Sequence, residues 1–116
     1  MPGLTSTISD KLSGRMDARH AELSESSLEL AIAYHSDDMA EVHRLLPRFA
    51  AAYRAEVRAA GGNGHLFGSI RELQASPDRS DRQAGVAMFT ALSIYAGAEQ
   101  DAALMDQLRV HYAAGR

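Results

Sequence analysis

Five histidines, His20, His35, His43, His65 and His111, are the side chains in this 116-residue chain best suited to hold a metal, because cysteine is absent. Ligands on one helix share a face at spacings of three or four residues. Asp17 with His20 and His35 with Asp38 meet that spacing, and no two histidines do. His35, Met39 and His43 stand at four-residue steps, a row of donors that would suit copper(I) or a haem. A helix break expected at His35-Ser36-Asp37 cuts that row. Flank and turn positions then account for these histidines, and no cofactor is expected.

Carboxylates offer a second chemistry. Asp37-Asp38-Met39-Ala40-Glu41 has the form DDxxE, and Glu22, Glu25 and Glu29 line up upstream at steps of three and four. Paired carboxylates on facing helices can hold Mg²⁺ and through it a diphosphate, since hard cations prefer oxygen ligands. In that respect the chain resembles the small all-α nucleoside triphosphate pyrophosphohydrolases of the MazG type. The resemblance implies a Mg²⁺-dependent nucleotide or diphosphate hydrolase using Glu22, Glu25, Glu29, Asp38 and Glu41. The EExxE of that family is missing, and DDxxE stands where ExxD would be wanted. Capping explains the same residues, since acids are favoured at the positive end of a helix dipole.

The third feature is a stripe of arginines. Arg44, Arg48, Arg54 and Arg58 fall on one helix arc, where guanidinium groups can dock an acidic partner helix or phosphates. A single lysine, a net charge of −3 and no aromatics interleaved with these arginines speak against nucleic acid. Nucleophilic catalysis finds no G-x-S-x-G turn. Gly62-Asn63-Gly64 with Gly68 follows a helix and lacks Lys-Ser/Thr, so it is no phosphate loop. Tyr34 with Asp38 and Tyr95 with Glu99 match the Y-x-x-x-[DE] spacing of type VII secretion substrates, which the chain resembles in nothing else: the Trp-x-Gly turn is absent.

These residues must be positioned by helices. Nothing alternates apolar and polar as a strand does, whereas helical periodicity is plain from Asp38 to Ala60. Met39, Val42, Leu45, Leu46, Phe49, Ala50, Tyr53, Val57 and Ala60 share one arc, with Glu56 near its edge, suited to an arginine from another helix. Asp38 with Glu41 forms a capping box, Gly61-Gly62 stops the helix, and Pro47 should kink it.

Upstream, Ser24 or Ser26 is the expected cap of a helix through Leu28, Leu30, Ile32 and Tyr34, with Leu23 and Leu28 as a staple. Leu4, Ile8, Leu12 and Met16 suggest an N-terminal arm or helix over residues 1–20, ahead of a single domain at 21–116. A glycine-rich link, Gly61 to Gly64, leads to a short helix with Leu66, Phe67, Ile70 and Leu73. Ser80 is the expected cap of the next, which Gly97 ends. No residue from Ala84 to Ala98 is charged, so that helix should be shielded on all sides. The last helix carries Leu104, Leu108 and Tyr112 on one stripe, flanked by Met105 and His111.

The expected fold is therefore all-α: a small helical bundle of two hairpins, about 24–60 and 80–113, joined by a short connecting helix. Displacement by 62 residues pairs Val42 with Leu104, Leu46 with Leu108 and Ala50 with Tyr112. The segment Leu30–Leu46 also resembles one tetratricopeptide helix pair, which implies a mode of packing only. The apolar content of 46% is that of a globular domain. No signal peptide or membrane-spanning run is visible, so cytoplasmic residence is expected. With no convincing catalytic set, the expectation is a non-enzymatic helical protein–protein interaction module. It would be a small adaptor, regulator or assembly subunit with a protein partner of acidic character or a second copy of itself, and Arg44, Arg48, Arg54 and Arg58 would face the partner.

Overall fold

The computed structural model describes the backbone of residues 14–114 and the side chains of residues 20–114. Among the described residues the chain forms five helices and no strand: α1 (Gly14–His35), α2 (Met39–Ala60), α3 (Gly64–Ala75), α4 (Arg79–Glu99) and α5 (Ala102–Ala114). Helices α1 and α2 make one hairpin, α4 and α5 the other, and α3 connects them. The hairpins join mainly through their first helices, α1 against α4, while α3 lies along α4. None of these helices is long and apolar enough to cross a membrane.

Helix α2 follows from its caps and its periodicity. The Asp38 carboxylate accepts from the Glu41 amide at 3.1 Å, and Gly61 closes the far end with φ 74°, a conformation glycine adopts without strain. The second half of the expected capping box does not form, because the Glu41 carboxylate is held by Arg44. Val42, Leu45, Phe49, Ala50 and Tyr53 are buried, whereas Met39 lies outside the core. The helix runs on through Pro47, whose ring sits on the exposed side.

Helix α1 departs from expectation. It begins at Gly14, so neither Ser24 nor Ser26 caps it. Ser26 and Ser27 are instead buried in mid-helix, and both hydroxyls donate back to the Leu23 carbonyl, at 3.2 and 2.5 Å. A serine satisfied within its own helix can enter a core without an unpaired hydroxyl. The inward face is Leu23, Leu30, Ala31 and Ala33. Leu28, Ile32 and Tyr34 are about half exposed. Of the N-terminal arm, Leu4, Ile8 and Leu12 lie outside the described residues.

Helix α4 starts from Asp78, which accepts from the Ser80 amide at 2.8 Å, so the expected cap Ser80 is one of the residues being capped. It passes through Gly97 and ends at Gln100, in left-handed conformation at φ 53°. Gly85, Ala87, Met88, Ala91, Leu92, Tyr95 and Ala96 are buried. The expected shielding on every side is not met, for Val86 is 52% exposed and Ser93 and Gly97 face outward. Neighbouring helices cover the inner faces of α4 and leave a strip open beside α1.

The core centres on Phe49, Tyr53 and Tyr95, with ring centroids 5.1–6.2 Å apart. Helix α5 buries Leu104, Leu108 and His111, while Tyr112 is 55% exposed. His111, not Tyr112, completes the stripe because a three-residue step continues the inward face. Its ring lies between Phe67 and Phe89, at 5.5 and 5.4 Å. The glycine-rich link is anchored: the Asn63 amide donates to the Tyr53 hydroxyl at 3.1 Å and to Gln107 at 2.9 Å.

Candidate functional site

The arginine stripe is largely engaged within the chain. Arg48 reaches across to α1 and meets Glu22 at 2.6 Å, Glu25 at 3.7 Å and Glu29. Its hydrogen bond holds the Glu22 carboxyl below the ordinary carboxylate range. Arg44 pairs with Glu41 one turn away. Arg54 meets Glu99 at 3.6 Å and lies 5.9 Å from the centre of the Tyr95 ring. Arg58 is exposed and has no ion pair among the described residues.

The same contacts locate the acidic residues. Glu22, Glu25 and Glu29 converge on a guanidinium, Asp38 caps α2 and Glu41 pairs in-helix, so the five do not gather round one cation-sized space. His35 and His43 are exposed on separate helices, with His35 edge-on to the Tyr34 ring.

Two other places gather function-bearing groups. The first is a groove of about 650 Å³ between α1 and α4. Its floor is Ala31 and Ala87, and its walls are Leu28, Ile32, Val86 and Thr90. One end is rimmed by His35, Arg79 and Arg82. Leu28, Ile32 and Val86 are 47%, 57% and 52% exposed and line this one groove together. Arg82 donates to the carbonyls of Ser76 and Pro77 at 2.9 and 2.8 Å, which fixes its direction without neutralising it. Neither it nor Arg79 has a carboxylate partner among the described residues. The groove thus combines an apolar trough with two uncompensated positive charges.

The second place is a polar cluster where α1, α2 and α3 meet. Glu56, 2% exposed, accepts from His20 and His65, each with Nε2 at 2.9 Å from the same oxygen, Oε1. Burial, the largest influence, raises the Glu56 carboxyl, but His65 and His20 together outweigh it and leave it below its ordinary value. The sequence suits Glu56 to an arginine of another helix; the partners found on its Oε1 are two histidines. Its position at the edge of an apolar arc was the available signal, while His20 and His65 are 36 and 9 residues away and carried none. Comparison with protein-family models, characterised proteins and solved structures gives no match.

Proposed function

We propose that the chain is a non-enzymatic helical interaction module, an adaptor, regulator or assembly subunit, that receives an acidic amphipathic helix of a partner protein in the groove between α1 and α4. The observation that carries this reading is the pairing of three half-exposed apolar side chains with the free charges of Arg79 and Arg82 at one rim. A helix lying in such a trough places apolar residues at i, i+3, i+4 and i+7 on the floor and its acidic residues against the rim. A second copy fits less well, because among the described residues no acidic one lines this groove to meet the cationic rim of a facing copy. Arg44, Arg48 and Arg54 support the fold under this reading, and Arg58 remains on the outer surface of α2.

Covering the exposed halves of Leu28, Ile32 and Val86 is worth about 1 kcal/mol each, taking half of the ~1.5–3 kcal/mol for a full side chain. Ile32→Glu loses that share and forces a charge into the trough, so affinity drops by at least ~10-fold, the factor that 1.4 kcal/mol represents. The test is fluorescence polarisation with a labelled amphipathic helical peptide, leucine on one face and glutamate on the other. Ile32→Glu and Val86→Glu should abolish binding, and Arg79→Ala with Arg82→Ala should weaken it and flatten its salt dependence. Binding indifferent to all four substitutions refutes the reading. Sedimentation showing a dimer that Ile32→Glu dissolves would give the groove to a second copy instead.

A further inference from the structure

We propose that His20, Glu56 and His65 form a binding site for a divalent transition-metal ion of the zinc class, a site independent of the groove. The three residues come from three helices, α1, α2 and α3, and their donor atoms lie within 4.8 Å of one another. Both imidazole Nε2 atoms are 2.9 Å from Glu56 Oε1. Donors at about 2.0–2.2 Å from one ion stand about 2.9–3.5 Å apart at angles between 90° and 110°. The two nitrogen–oxygen separations already fall at the short end of that range and the two nitrogens lie within 4.8 Å of each other, so the carboxylate and imidazoles can close on an ion by side-chain movement.

The donor chemistry selects the metal. Two imidazoles and one carboxylate suit zinc, cobalt, nickel or iron(II) and suit Mg²⁺ and Ca²⁺ poorly, since those prefer oxygen throughout. Glu56 is buried and held in place by both rings, which sets the direction of its oxygen toward them. His20 and His65 each keep 40% of their side chain exposed, so an ion can enter from solvent. On binding, each Nε2 gives up its proton, to Nδ1 of the same ring or to solvent, and its lone pair turns to the metal.

Three protein ligands leave a coordination position for water or an outside ligand. His20 also lines a mixed pocket of about 430 Å³, in which Ser24, Ser69, Glu72, Ser76 and Asp81 stand beside Leu66, Leu73 and Met88. The ion would also tie α1, α2 and α3 together.

Untagged full-length chain, stripped with a chelator, is titrated with Co²⁺ and followed by visible absorption, then with Zn²⁺ by calorimetry. One equivalent of Co²⁺ should give d–d bands, and Zn²⁺ should displace it and raise Tm. His20→Ala and His65→Ala, both at half-exposed positions, should each weaken binding by more than the ~100-fold that loss of even an outer partner can cost. Glu56→Gln should do the same, with circular dichroism showing that each variant keeps its helices. His35→Ala and His43→Ala should change nothing. Failure of the unsubstituted chain to bind at micromolar concentration, or binding kept in His20→Ala and His65→Ala, overturns the proposal.

Discussion

Replacing Gly85 by alanine tests how tightly α3 and α4 are packed. A Cβ at Gly85 would lie 2.9 Å from Gln74 Cγ, 3.1 Å from the Gln74 amide nitrogen and 3.1 Å from Leu73 Cβ. Carbon atoms in contact sit about 3.5–4.0 Å apart, so each approach is too short by roughly half an ångström. The Gln74 side chain can swing aside. Its amide nitrogen cannot, so α3 must shift as a body, and overpacking of this kind costs about 1–3 kcal/mol. Against that stands the intrinsic preference of a helix for alanine over glycine, up to about 1 kcal/mol.

Gly97 separates the two contributions. It lies in the same helix, faces solvent, and its added Cβ meets nothing within 4 Å. Gly97→Ala should therefore gain about 0.5–1 kcal/mol, while Gly85→Ala should fall below it by the whole clash, about 1–3 kcal/mol. Urea unfolding followed by circular dichroism gives both values, and an unchanged m-value licenses the comparison. If Gly85→Ala gains as much as Gly97→Ala, helices α3 and α4 are not in the close contact described, and the bundle is looser than drawn.

Charged groups also set how stability depends on salt and pH. Arg48→Met removes the guanidinium shared by Glu22, Glu25 and Glu29, so Tm should drop in dilute buffer. The difference should shrink in about 1 M salt, where the screening length falls to about 3 Å; a salt-independent loss would mean that packing, not charge, is what Arg48 supplies. For His111, burial first and Arg71 second lower the imidazole from its ordinary 6.5, so the folded chain prefers it neutral. The unfolded chain takes up the proton first, and stability is lost as pH falls from about 6.5 toward the folded value. His111→Gln should flatten the fall in unfolding free energy across that window, measured by urea titration at a series of pH values. Glu56 acts lower, its lowered carboxyl giving stability above its ordinary 4.5 that is lost as pH falls through the folded value. An unaltered slope in His111→Gln would rule out the buried ring as its source.

The legible parts of the fold were those in which local and tertiary demands agree. In α2 the Asp38 cap, the middle of the apolar arc from Val42 to Tyr53 and the closing Gly61 lie within one segment, and each is where the sequence puts it, while Met39 and Ala60 at the two ends of the arc stay exposed. Helix α1 was misplaced at its start because serine serves two ends. It caps helices in many settings, yet at Ser26 and Ser27 it bonds the preceding turn and enters the core. The 62-residue displacement holds for Val42 and Leu104, both buried, and fails by Ala50 and Tyr112, one buried and one exposed. Different neighbours cover the two helices there. The groove was hidden for a related reason: Leu28, Ile32 and Val86 look like core residues until the spacing of α1 and α4 is known. The histidine–glutamate cluster needed three helices to meet, which no local pattern announces.

Helix α4 contacts all four other helices, and it is made late. During synthesis the α1–α2 hairpin is complete at Ala60, roughly 40 residues before Glu99 leaves the ribosome. At about 5–20 residues per second that interval lasts about 2–8 s. Throughout it, Leu23, Leu30 and Phe49 wait without the surface that finally covers them. The nascent hairpin is thus an oily, unfinished object for far longer than a helix takes to form.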